Sequence, residues 1–360
     1  MNSSILKSYT QSMTKLTRVA MITRTAIRFS WILVLLIIFG RAFIGIGGQV
    51  YRSLRPDPTP KPTVAFGKLP SLPFPAVEGL PQFEYKLDTV DSELPKFPDQ
   101  GKVFFMPKST ITLYSLERSR ITANLLGFNT DPFRVSQTVY RFSHPSLPSQ
   151  LEINIATKIF SISYDLEGFL SPLENRPPAP EVAIPRAKAI LASANVLADD
   201  ISRGDATHEL LRVEEKNLIP VVSLSEANLI KVNLFREPYD SLPSLTPFPN
   251  QANVWLILSG SGGRDQVLAG ENLYFPVDKE KFATYSLKSS ANAFEELKNN
   301  QAYIASIGQN LEGSVSIRKV YLAYYDAGFP TDFYQPVIVF EGDKNFMAYV
   351  PAVSREYYGE

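Results

Sequence analysis

The chain has 360 residues, of which 44% are hydrophobic, 20% charged and 12% aromatic; that is ample material for a core and excludes a wholly disordered chain. It has no cysteine and only two histidines, His144 and His208, which excludes disulfides, thiolate metal sites and cysteine nucleophiles and starves zinc and histidine-triad chemistry. The 36 basic and 36 acidic groups cancel overall, yet residues 1–56 carry eight bases and no acid, and subtracting those eight leaves 28 bases against 36 acids in the body, which argues against a nucleic-acid partner.

Residues 1–28 read as a basic cytoplasmic flank, with a composition also found in mitochondrial presequences. Residues 29–51, FSWILVLLIIFGRAFIGIGGQVY, hold one charge, Arg41. As a helix they would span about 35 Å, which predicts a transmembrane segment in a lipid bilayer. Trp31 and Tyr51 stand near opposite ends, where amphipathic rings favour the interface. The preceding bases place the N-terminus in the cytoplasm and the body outside the cell membrane. Arg41 near the middle costs about 2.5–3.5 kcal/mol on insertion scales. A tilted helix lets it snorkel, a partner helix neutralises it, or the apolar run is a cleaved signal core.

Residues 52–100 read as a proline-rich stalk passing into an extended, docked segment. Ten of the 28 prolines lie between Pro56 and Pro98, where missing N–H groups forbid helix or central strand. Val64, Phe66, Leu69, Leu72 and Phe74 are too apolar for a free linker.

Three α+β units are expected beyond it, each a helix followed by antiparallel strands. In 101–170, Leu113, Leu116, Ile121 and Leu125 predict a helix closed by Gly127, and 138–142, 151–155 and 159–165 predict strands. In 185–260, a helix starting at Pro185 runs with one apolar face to Ile201. Strands follow near 207–213, 226–235 and 253–259. In 280–355, a helix at 289–299 precedes a long strand, 315–326, apolar on both faces and so expected to be central. Strands at 334–342 and 346–353 close the unit.

This last segment resembles the closing domain of YycH/YycI-type and PepSY-like extracytoplasmic proteins. The residues that carry the likeness are Leu322, Ala323, Tyr324 and Tyr325, then Gln335, Pro336 and Val337, then Ala348, Tyr349 and Val350. The resemblance covers about the last 70 residues. It implies a membrane-anchored, noncatalytic regulator that acts by contact with an envelope or membrane protein, often a sensor kinase or an envelope enzyme.

Chemical motifs are sparse, and no cofactor or metal is expected. SGSGGRDQ at 259–266 has neither phosphate-loop spacing and reads as a hairpin loop. Residues 199–209 gather Asp199, Asp200, Asp205, His208 and Glu209, which read mainly as a solvated helix end. Asp205 and His208 are also where the alternative, an envelope hydrolase, would have its site. His144 lies in a proline-flanked loop. Tyr324, Tyr325, Tyr334 and Gln335 are the candidate partner face, since exposed tyrosine makes an amphipathic anchor. A third expectation is a structural tether that uses Arg41 inside a membrane complex.

Overall fold

The computed structural model describes residues 23–24, 26–27, 29–41, 60–166, 173–215, 217–261, 267–311 and 313–359. The chain divides into two units, Met1–Lys61 and Pro62–Glu360.

In the first unit, residues 29–41 are helical (α1), with apolar side chains including Trp31, Leu36 and Phe39 exposed. Among the described residues no helix is long and apolar enough to cross a membrane. This corrects the expectation of a single-pass membrane protein with a cytoplasmic N-terminus. The strongly apolar run, 31–39, rises only about 14 Å as a helix, and a hydrocarbon core is roughly 30 Å thick. Arg41 closes the described run, and Tyr51 lies outside the described residues.

The second unit is built mainly of strands. In chain order come β1 (Phe83–Leu87), β2 (Gln100–Phe105), helix α2 (Ser115–Leu125), β3 (Phe133–Arg134), β4 (Val139–Ser143), β5 (Ser149–Asn154) and β6 (Phe160–Tyr164). Then follow α3 (Pro180–Ser193), α4 (Asp199–Arg203), β7 (Ala206–Glu214), β8 (Asn217–Val221), β9 (Leu229–Leu234), β10 (Ser244–Leu245), β11 (Val254–Leu258), β12 (Val267–Asn272) and β13 (Asp278–Ser286). The chain closes with α5 (Ser290–Lys298), β14 (Tyr303–Ser306), β15 (Gly313–Tyr325), β16 (Phe333–Tyr334), β17 (Pro336–Gly342) and β18 (Phe346–Pro351).

The expected α+β architecture of separate repeated units is corrected by the sheet topology. The first two units merge into one nine-stranded sheet, ordered β3-β4-β5-β6-β12-β11-β9-β7-β8, in which every pairing is antiparallel. The strand that joins the halves is β12, which pairs with both β6 and β11. Helices α2 and α3 cover one face, burying Ala123, Ala183, Ala187 and Leu191 against Leu151, Ile230 and Leu256. Pro180, not Pro185, takes the first-turn position of α3, where a missing N–H costs nothing. The helix breaks at Asn195 (φ 58°). The apolar period runs on across the break because Ile201 of α4 enters the same core.

A second sheet runs β1-β15-β17-β18-β14, with β10 beside the far end of β15, and β2, β13 and β16 form a third. Helix α5, capped by Ser289 accepting from the Asn292 N–H at 3.1 Å, packs Ala293 and Leu297 on the second sheet. β15 is covered on both faces, as its pattern predicts, but with a changed phase. A bulge between Ile317 and Lys319 adds a residue and turns the strand over. Val315 and Ile317 therefore share a core with Val320 and Leu322, while Tyr321, Ala323 and Tyr325 face the other way.

The proline-rich segment lies on this unit from residue 62 onward. Leu69 is fully buried beside Val103, Tyr285 and Val353, and its N–H and C=O bond Tyr357 O at 2.7 Å and Gly359 N at 2.9 Å. Phe74 stacks on Tyr303 with ring centroids 4.9 Å apart.

Candidate functional site

The residues expected to form a partner face are interior. Tyr324, Tyr325, Tyr334 and Gln335 are all at most 2% exposed. Tyr324 stacks on Tyr334 at 5.1 Å and donates its hydroxyl to Lys102 O at 3.0 Å. Gln335 Nε2 donates to Pro70 O at 3.1 Å, helping to hold the docked segment. The reason is the covering of β15: successive side chains point to opposite faces, and both faces are packed.

The polar cluster at 199–209 is likewise divided. Asp205 and His208 are exposed and belong to none of the clefts below, and among the described residues no group of three or more His, Asp or Glu is arranged to hold a metal. His144 serves its own turn, where Nδ1 accepts from Leu147 N at 3.0 Å. β11 and β12, on either side of residues 259–266, pair antiparallel.

Asp200 instead turns inward to a buried ionic hub. Arg236 follows β9 and has a side chain 1% exposed. It donates through Nη1 to Asp200 Oδ2 at 2.8 Å, through Nε to Asp326 Oδ2 at 2.8 Å and through Nη2 to Phe275 O at 2.5 Å. The Tyr239 hydroxyl also donates to Asp200 Oδ2, at 2.8 Å, and the guanidinium lies over the Tyr274 ring at 4.4 Å. Burial works against the Arg236 charge, but the carboxylates of Asp326 and Asp200 hold its pKa well above the ordinary value. Burial pushes Tyr274 up to about 12. The hub ties α4, the end of β9 and the end of β15 together.

Next to it, Glu237 binds Arg203 at 2.7 Å and Lys279. Hydrogen bonds from these two cations lower its pKa from 4.5 to about 2. A carboxylate depressed in the folded state favours folding above its unfolded value, and that contribution is lost as pH falls through the folded one. Between about pH 4.5 and about pH 2, the urea midpoint of Glu237→Gln should therefore fall less steeply than that of the parent. Parallel curves would contradict this.

A groove of larger volume than the other clefts described here lies on β15 itself. One edge of β15 is taken by β17. On the other edge, β1 pairs with Gly313–Ile317 and β10 with Tyr324–Tyr325, both in parallel. The flanking contacts are Asp88 N to Ile317 O at 2.9 Å and Tyr324 N to Pro243 O at 2.8 Å. Between them, residues 318–323 have no strand partner on that edge among the described residues. The gap is about 20 Å long at roughly 3.3 Å per residue.

The bond from Tyr325 N to Gln335 O, 3.1 Å, sets the ladder's phase. Lys319, Tyr321 and Ala323 bond β17, so the N–H and C=O groups of Val320 and Leu322 turn to the vacant edge. The groove there has a volume of about 690 Å³, with walls at Pro95–Lys102 and Asp240–Pro243 and an apolar floor of Val320, Leu322 and Leu287. It continues into a hollow of about 400 Å³ between residues 89–96 and 318–320.

The charged residues lining the groove are Lys96, Lys102, Lys319 and Asp240, and its extension adds Arg318, Asp91 and Glu93. Lys102 pairs with Asp240 at 2.7 Å, and Arg318 with Asp88 and with Asp343. Lys96 and Lys319 are exposed and form no salt bridge among the described residues, although Lys319 stands opposite Glu341 across the ladder. A smaller cleft, about 270 Å³, lies between α2 and residues 153–158, lined by hydroxyls, Arg118 and Lys158. It falls at the lower limit of small-molecule sites.

Comparison with known proteins adds little. No protein-family model matches the chain, and no curated protein matches it. Among solved structures, the chain is similar to that of an uncharacterized protein from Eubacterium rectale ATCC 33656. The two are 14% identical, with a TM-score of 0.35, over 73% of this chain and 86% of the other.

Proposed function

We propose that the protein acts without catalysis, by holding a partner protein in the groove beside β15. The observation that carries this reading is the vacant span 318–323: a strand covered on both faces is left open along one edge, over an apolar floor. Backbone groups on this edge bond no other part of the described chain, and an occupant that pairs with them gains affinity without further reorganisation. The likeness of the closing segment to YycH/YycI-type and PepSY-like regulators, which implies action by contact, is in accord with it. The hydrolase alternative has less support, because Asp205 and His208 line no cleft described above; it predicts that His208→Ala abolishes function while fold and level persist.

The test is a photoreactive amino acid placed at Ser241, exposed on the groove wall, and for comparison at Val222, which is 99% exposed just beyond the end of β8. The expected result, in the native cell, is one protein crosslinked from position 241 and not from 222. Equal labelling from both positions would refute the reading.

A further inference from the structure

We infer that the partner enters this groove as an extended, acidic segment that adds to β15 as a strand between β1 and β10. This rests on the protein-contact reading above and specifies its chemistry. A strand is required because the unmet groups are those of backbone: the N–H and C=O of Val320 and Leu322 face the gap at the spacing of a ladder. A helix or a folded surface offers no matching row of donors and acceptors, whereas an extended chain does. The span between Ile317 and Tyr324 admits about six residues.

The two faces of the gap define the guest's side chains. On one face it meets Val320 and Leu322, in one core cluster with partly buried Leu242 and Leu287. On the other it meets Lys319 and Tyr321, the Lys319 ammonium lying over the Tyr321 ring at 4.4 Å. An alternating guest therefore sets apolar residues on the first row. Acidic residues suit Lys319 on the second row and Lys96 at the wall. Within the groove proper the acid in the lining, Asp240, is paired with Lys102, and Lys96 and Lys319 form no salt bridge among the described residues, so two bases are left for the guest.

A second copy is excluded as guest. The gap is bounded at both ends by β1 and β10, so a whole sheet edge cannot reach it.

The probe is a displayed library of random nonapeptides, selected on the full chain and, separately, on the full-chain variant Lys96→Glu/Lys319→Glu. Both lysines are exposed, but Lys319 stands opposite Glu341 across the ladder with β17, so a small fall in melting temperature is expected and binding is compared at a temperature where both proteins are folded. Expected are peptides with alternating apolar residues and Asp or Glu between or beside them, and a turn to Lys and Arg when the variant is the bait. The best parent binder should lose at least about tenfold in affinity against the variant, the scale of one lost charge-assisted contact. It should lose as much when its alternate amides are N-methylated, and its binding should slow hydrogen exchange at Val320 and Leu322. Failure to select peptides, indifference to the charge reversal, or indifference to N-methylation would overturn strand addition by an acidic segment. A crosslinked partner at Ser241 that leaves Val320 and Leu322 unprotected would also overturn it while sparing the contact reading; loss of the crosslink as well would remove both.

Discussion

Replacing Arg236 by methionine is expected to lower the unfolding free energy by about 3–5 kcal/mol, the usual cost of removing one partner from a buried ion pair. Methionine fills much of the volume, so the loss is electrostatic. It leaves Asp200 and Asp326, each at most 5% exposed, buried together without their counter-ion. The Phe275 carbonyl loses its donor too. Neutralising both acids in the same chain, as Asp200→Asn/Asp326→Asn with Arg236→Met, should recover part of the loss, since a polar group without charge is cheaper to bury. Denaturant titration of the three proteins checks this. A loss below about 1 kcal/mol for Arg236→Met, the scale of a surface pair, would show that the hub is solvated.

The second large effect is expected at Leu69. Leu69→Ala should cost about 2–5 kcal/mol, because the site is fully buried and a cavity remains. The same substitution in a free stalk would cost next to nothing. Position 69 therefore decides whether the proline-rich segment belongs to the folded unit. Its backbone supports the larger figure, since Leu69 bridges to the C-terminal Tyr357 and Gly359 through both its N–H and its C=O. Thermal unfolding of the variant as one transition at lower temperature is the expected result; an unchanged midpoint would mean the segment does not hold.

Local pattern explains which elements were legible. Leu116, Ile121 and Leu125 mark α2, the three residues between the β5 and β6 patterns mark a hairpin, and the two-faced run in 315–326 marks a central strand. Pairing was not legible. Alternation identifies strand residues but not their neighbours, so β12, preceded by a glycine-rich sequence and itself containing Gly270, is not marked by the pattern, and with it the joint between two expected units. β1 was hidden because FEYKL lies among prolines. The bulge after Ile317 also leaves no mark in the pattern, so strict alternation counted from Val315 puts Val320 and Leu322 on the opposite face from the one they occupy.

The candidate site was less legible still. Asp200 reads as one of several exposed acids, and its partner Arg236 is 36 residues away, while Asp326 is 90 residues beyond Arg236. Only folding brings them together. The groove depends on a missing neighbour: β1 ends at Leu87 and β10 begins at Ser244, and no residue type encodes the distance between those ends along β15. Tyrosines looked like the natural anchors but were needed for the core. The useful signal was charge, in Lys96 and Lys319, though many lysines on any surface look the same.

Amide hydrogen exchange of the free protein tests the vacant edge most directly. Val320 and Leu322 should exchange much faster than Tyr321 and Ala323, although all four lie within one well-packed strand, because only the latter two donate to β17. Equal, slow exchange at all four amides would mean that the edge is already paired, and both the groove and the function proposed for it would fall.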